Sequence, residues 1–222
     1  MLSFSALSVV ATLAFSAFTS AMPLDPTSAV STVGNLLPVP ALPVGVPALK
    51  RDTPRSVAAI VADVTVQVTP YVEQLKYINK QNATLEVIEP VVTNIKGVFA
   101  SAVVEVQGLM GLSADVILAP VTGTVAVTVA ELAQIIAGLL TLVFEVVGVV
   151  LGVVDSSILS CVTYLLVSLA ELVGCLVCAI VMLVDGILAN LVATIVPLIG
   201  AIIPIILQLN VLIVIKIFGI AL

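Results

Sequence analysis

From Gly186 to Ile215 the chain carries no charged residue, and within that run stands TIVPLIGAIIPIIL, Thr194 to Leu207. The run is long enough to cross a bilayer, which takes about 20 apolar residues. Pro197 and Pro204 fall near its middle, however, and each removes a backbone donor from any continuous helix. A lone rod through lipid would leave the freed carbonyls without partners unless neighbouring helices supplied them. The stretch therefore reads as a kinked helix pair rather than one straight span. Its flanks also lack the basic residues that orient a membrane helix, Lys216 being the only base after Ser113.

The rest of the apolar half, 113–222, carries six acids: Asp115, Glu131, Glu145, Asp155, Glu171 and Asp185. The uncharged windows between them, 132–144, 156–170 and 172–184, are each shorter than a span of about 20 residues. Each of the first three acids has an acidic counterpart 40 residues later, and VAELAQ matches LAELVG. Two copies of one helical unit would give this pattern, and so would chance among valine-rich segments. Glu131 and Glu145, like Glu171 and Asp185, are 14 residues apart. Such pairs lie on nearly the same helical face. Unpaired carboxylates are costly in an apolar interior. They must line a thin polar seam, sit near helix ends, or be protonated inside a bundle. A proton or ion pathway is the sharper alternative.

The preceding region is different. Ile60, Val61, Val64, Val68, Tyr71, Val72, Leu75 and Ile78 recur at helical steps, and a second stripe runs Leu85, Ile88, Val91, Val92, Ile95, Phe99, Val103, Val106 and Leu109. The polar NKQNAT between them predicts a turn, so 52–112 reads as an amphipathic, antiparallel helical hairpin. Pro70 and Pro90 are expected to kink these helices or to mark first turns. The turn contains Asn82-Ala83-Thr84, an N-glycosylation sequon. With 6 acids and 4 bases over 52–112, the charges suit a solvated helix face.

Residues 1–21 read as a signal peptide, with a retained first transmembrane helix as the competing reading. An uncharged apolar core, roughly 6–18, precedes small residues ending at Ala21. Residues 22–51 form a propeptide or linker: seven of the chain's 12 prolines lie between Pro23 and Pro54. It ends at Lys50-Arg51, a dibasic pair suited to a processing protease that would leave a chain starting at Asp52.

Composition limits function. The 222 residues are 61% apolar and 9% charged, against roughly 45–50% and 25% in ordinary soluble proteins. One small core cannot absorb that apolar excess, so part of it must face lipid, a partner, a second copy or another hydrophobic phase. With 13 acids against 7 bases, nucleic acid is not an expected partner. There is no histidine, no phosphate loop and no nucleophile–base pairing, so no catalytic residue, cofactor or metal is expected. Cys161, Cys175 and Cys178 cannot make a four-thiolate zinc site. They are either small buried hydrophobes or disulfide candidates, with Cys161 bridging to Cys175 or Cys178 across neighbouring helices and an odd thiol left to cross-link copies.

With these features in place, the chain resembles a family of secreted, non-hydrophobin matrix and wall proteins of mushroom-forming (basidiomycete) fungi. The resemblance rests on TPYVEQLKYINKQNATLEVIEPVVTNIKGVF, on VAELAQIIAGLLTLVFEVVG and on the closing LNVLIVIKIFGIAL. It implies a hydrophilic N-terminal half, a hydrophobic C-terminal half, and a structural role in aerial hyphae and hyphal attachment. Hydrophobins themselves have eight patterned cysteines; this chain has three.

The expected fold is all-α, an amphipathic helical hairpin (52–112) followed by a bundle of very apolar, Pro-kinked helices (113–222). The expected function is that of a secreted, surface-active structural protein of the extracellular matrix or cell wall. Its partners would be hydrophobic interfaces, wall or matrix components and copies of itself. Two other readings stand beside it. One is an integral membrane protein with two to four C-terminal spans in contact with membrane lipid; the other is a lipid-binding helical bundle.

Overall fold

The computed structural model describes residues 54–121 and 125–220, which are helical with no strand among them. The expected signal peptide with Ala21, the Pro-rich segment and the Lys50-Arg51 pair lie outside the described residues.

Helix α1, Val57–Lys76, starts where Ser56 takes an extended backbone and its Oγ accepts from the Ala59 N–H at 3.3 Å. That bond satisfies one of the donors a helix N-terminus leaves open. A polar turn leads to α2, Leu85–Gln107. The first stripe is buried from Ile60 to Ile78, with Tyr71 packed half-buried beside it. The second is buried at Ile88, Val92, Ile95, Phe99, Val106 and Leu109, with Leu85, Val91 and Val103 packed against it. Arg55, just before α1, pairs with Asp63 at 2.6 Å and with Glu105 near the end of α2. The start of one helix thus meets the end of the other.

Pro70 and Pro90 lie inside α1 and α2 rather than at their first turns. Both are exposed, and so are Val66 and Glu86, whose carbonyls lose a partner to the missing N–H. Freed on the outer face, those carbonyls are open to water.

The short α3, Ala114–Ile117, leads to α4, Val129–Val153. A capping box opens α4: Thr128 Oγ1 accepts from the Glu131 N–H at 3.3 Å, and Glu131 Oε2 accepts from the Thr128 N–H at 2.9 Å. Helix α5 is Leu159–Val184. These helices run 25 and 26 residues, and Glu145 and Glu171 lie inside them on exposed positions instead of ending them. The charge-free run is broken into α6 (Leu191–Ile195), a 3-10 segment (Val196–Ile202), α7 (Ile203–Gln208) and α8 (Leu212–Phe218). Pro197 and Pro204 fall in the opening turns of the 3-10 segment and α7, where a missing donor costs nothing. Asn190 and Asn210, both at positive φ, mark the joints before α6 and α8.

Three layers result. Helices α1 and α2 pack on each other, α1 also on α4, and α2 most extensively on α5. The other side of α4 receives α6, the 3-10 segment and α7, while α8 packs on α5. One continuous core includes side chains from all three layers. The composition boundary at 112/113 is therefore not a packing boundary, since the α2–α5 contact crosses it.

The 40-residue correspondence does not map onto equivalent places. Glu131 is in the first turn of α4 but Glu171 is mid-α5; Glu145 is inside α4 but Asp185 lies just past α5. The repeated acids mark different structural roles, which speaks against a duplicated unit.

Gly174 on α5 permits the approach of α8. A Cβ there would overlap Ile213 Cγ2 and stand 3.0 Å from Val214 Cγ2. Both belong to β-branched residues with little freedom to move. Gly174→Val is expected to destabilise the protein by about 1–3 kcal/mol through overpacking. Gly138, with nothing within 4 Å of its Cβ position, is the contrast. Gly138→Ala should stabilise by about 0.5–1 kcal/mol through helix propensity. Denaturant unfolding of both variants checks this; equal effects would refute the tight α5–α8 contact.

Candidate functional site

The distribution of charge over the three layers is the most specific feature of the surface. The outer face of α1, α2 and their turn exposes Glu73, Lys76, Lys80, Glu86, Glu89 and Glu105. The outer face of the C-terminal layer, from Gly186 to Ile215, exposes Ile187, Ala193, Leu198, Ala201, Pro204 and Leu212, with Asn190, Gln208 and Asn210 as its polar interruptions. Hydration of the first face is charged; hydration of the second is weak. The molecule is two-sided at the scale of the whole bundle.

The middle layer carries narrow seams. On α4, Glu131, Gln134, Gly138, Glu145 and Val149 are exposed at helical steps, with half-buried Thr141 between them. On α5 the line runs Cys161, Tyr164, Ser168, Glu171, Cys175, Cys178 and Met182, alternating steps of three and four. All six acids of the apolar half are exposed: Glu145 and Glu171 at mid-helix, the others at or near helix ends. This is the polar-seam and helix-end arrangement, not a buried protonated cluster. The Glu131 carboxyl is held below the ordinary carboxylate range, first by the Thr128 N–H and then by its hydroxyl. A lowered folded value means that the cap stabilises above the unfolded carboxylate range and weakens as pH falls through the folded value. Asp155 is held down similarly, chiefly by the Ser157 N–H, in the α4–α5 loop.

One cation reaches between layers. Lys96 of α2 is half-buried, and its Nζ donates to Ser168 Oγ on α5 at 3.0 Å; that hydroxyl donates to the Leu165 carbonyl at 2.8 Å. Arg55 is the other structural cation. Its guanidinium is raised further above its ordinary range, foremost by the bond to Glu105.

The cysteines depart from expectation. All three are free thiols on the single helix α5. Fourteen intervening steps place Cys161 about 21 Å along the axis from Cys175, whereas a disulfide needs Cα atoms within about 7 Å. The bridge from Cys161 to Cys175 or Cys178 is thus ruled out while α5 is intact. Cys161 is exposed, so only Cys175 and Cys178, both half-buried, fit the description of small apolar fillers. Sequence reasoning missed that all three share one outward line, although their helical spacing was the signal.

Two shallow grooves open on the surface, of about 370 and 430 Å3. Leu85, Glu89, Ser160, Cys161, Tyr164 and Leu165 line the first, between the N-terminal ends of α2 and α5. Gln134, Gly138, Thr141, Glu145 and Leu198 are among those lining the second, along the α4 seam. Among the described residues no three of the Cys, Asp and Glu side chains gather where they could hold a metal ion. Asn82 is exposed in the α1–α2 turn.

No family model, curated protein or solved structure matches the chain.

Burial pushes the Cys178 thiol up, and burial with help from Cys178 and Glu171 does the same at Cys175. Thiolate is the reactive form. Alkylation at neutral pH is therefore expected to label Cys161 first, with Cys175 and Cys178 following only in more alkaline medium. Peptide mapping against time and pH checks this order, and simultaneous labelling of all three would contradict it.

Proposed function

We propose that this is a secreted, surface-active structural protein. Its charge-free C-terminal layer meets a hydrophobic phase while the charged α1–α2 layer stays in water. The observation that supports the reading is the segregation of charge across the bundle: a charged outer layer on one side and an uncharged one from Gly186 to Ile215 on the other. At about 25 cal/mol per Å2, removing 1,000 Å2 of apolar surface from water is worth roughly 25 kcal/mol before ordering costs. A modest adsorbed area is therefore ample. The resemblance to fungal matrix proteins gives the setting, the wall or extracellular matrix, with copies associating at the interface. Processing at Lys50-Arg51 belongs to the same proposal: Arg55 and the Ser56 cap, which tie down the start of α1, come just after it.

A membrane-spanning reading has one observation in its favour. Helices Leu85–Gln107, Val129–Val153, Leu159–Val184 and the stretch Leu191–Gln208 are long and apolar enough to cross a bilayer. Against it, lipid around α4 or α5 would meet Glu145 or Glu171 at mid-helix, with no ion-pair partner among the described residues. A lipid-carrying bundle needs an enclosed apolar cavity, and the two grooves described above are open.

Leu198→Glu and Leu212→Glu test the surface-active reading, since each side chain is about half exposed on the C-terminal layer (45% and 50%), the second one helical turn from the exposed Lys216. Each should slow adsorption at an air–water or oil–water interface about tenfold, as expected from losing roughly 1.5 kcal/mol of leucine transfer. Val104→Glu, on the charged layer, should leave it unchanged. Drop tensiometry measures all three; equal behaviour would sink the assignment of the face. Native protein should be recovered from medium or wall with an N-terminus near Asp52. Recovery only from detergent-solubilised membranes would establish the spanning reading instead.

A further inference from the structure

We propose that Asn82 carries an N-linked glycan, and that this glycan marks the water side of the adsorbed molecule. The inference rests on the secreted reading above and adds a modification site and an orientation to it.

The tripeptide Asn82-Ala83-Thr84 has a residue other than proline at its centre, as an acceptor site requires. Its chain alternates out, in, out: Asn82 and Thr84 are exposed and Ala83 is buried. Ala83 therefore anchors the turn while both recognition side chains face solvent. Thr84 occupies the N-cap position of α2 in extended conformation, yet its side chain makes no capping hydrogen bond. A threonine at this place ordinarily uses its hydroxyl on the helix; here the helix does not engage it.

The turn also tolerates the modified amide. Asn82 Oδ1 accepts from the Asn79 N–H at 2.7 Å, and Asn82 Nδ2 donates to the Tyr77 carbonyl at 3.3 Å. In the reaction, Nδ2 displaces the pyrophosphate of a polyisoprenyl-pyrophosphate-linked oligosaccharide. The sugar C1–O bond breaks, the C1–N bond forms, the lipid pyrophosphate leaves, and the amide nitrogen gives up one proton. The product keeps its carbonyl and one N–H, so the number of groups needed for both turn bonds is retained. Asn79 Oδ1 supports the same turn by accepting from the Gln81 N–H at 2.9 Å.

Position gives the orientation. The turn joins α1 and α2, the charged layer, and Lys80 and Gln81 beside it are exposed. The charge-free segments pack on α4 and α5 from the other side. An oligosaccharide cannot enter a hydrophobic phase without losing its hydration. Attached here, it opposes adsorption through the α1–α2 layer and leaves the C-terminal layer as the contacting face.

The test uses the full chain expressed in a eukaryotic secretory host. Intact mass of the secreted protein is measured before and after peptide-N-glycosidase, for the parent chain and for Asn82→Gln, Thr84→Ala and Thr84→Ser. The parent and T84S should lose oligosaccharide mass on digestion; N82Q and T84A should be secreted without it. Secreted parent protein of unmodified mass overturns the glycan while leaving the secreted reading standing. Failure to recover any protein outside the cells, with glycan on the membrane-bound form, overturns the secreted reading and leaves the modification standing. Glycosylated protein is then adsorbed to oil droplets and digested in place. Release as complete as in solution is expected, and protection of the glycan would overturn the orientation.

Discussion

The fold depends on α2 covering α5. Val162, Leu166, Leu169 and Val173 of α5 are fully buried, as are Ile88, Val92, Ile95 and Phe99 of α2. Helix α5 also receives α8 on another side, so it is apolar over most of its circumference and has only the Glu171 line for water. Helices of this kind are stable as a middle layer, where neighbours take up the apolar surface. The amphipathic pair supplies one neighbour and the charge-free tail the other. Lys96 shows how tight the arrangement is: its stem lies in the interface while its charge reaches the Ser168 hydroxyl.

How much of this could be read in advance follows from where periodicity survives. In α1 and α2 one face is polar, so steps of three and four picked out the side chains that the structure buries. In α4 and α5 two or more faces are apolar, and hydrophobic period carries little information. Other signals persisted there. Thr128-Val-Ala-Glu131 is a capping box in plain sequence, yet the acid was read only as one of a repeating set. The gaps between acids were measured only against a bilayer span, whereas the helices run on through the exposed Glu145 and Glu171. Pro197 and Pro204 stand in the opening turns of their segments, and the left-handed Asn190 and Asn210 at the joints were not singled out. The disulfide alternative placed the cysteines on neighbouring helices because their helix was not yet known to continue from Leu159 to Val184.

On the proposed reading the surface has to reconcile two demands, to remain dispersed and to adsorb. The bulkiest aromatic side chains of the core, Phe99 and Phe144, are fully buried, and Phe218 nearly so. What the C-terminal layer offers to solvent is largely small: Ala193, Pro197, Gly200, Ala201 and Pro204, with Ile187, Leu198 and Leu212 as its larger members. Such a face lacks charge without being a strong hydrophobic patch, so little hydration is lost when it leaves water. The net charge of −6 meanwhile favours repulsion between copies in solution. On the proposed reading, an interface would accumulate the protein because it removes weakly hydrated surface while the charged layer keeps its water.

The tail also has the least independent structure. Segments α6, the 3-10 turn and α7 contain five, seven and six residues. An isolated helix shorter than about 12–15 residues is marginal in water, so these pieces hold their shape through Ile195, Ile199, Ile202 and Ile206, all buried in the core. Their conformation is thus set by the same apolar side chains that a hydrophobic phase would also solvate. Helix α1 is held by its buried stripe too, but has in addition its Ser56 cap and the Arg55 pairs, interactions that an apolar phase cannot replace. Meeting a hydrophobic phase therefore bears first on the C-terminal layer and last on the charged pair, and the order of resistance follows the same axis as the separation of charge.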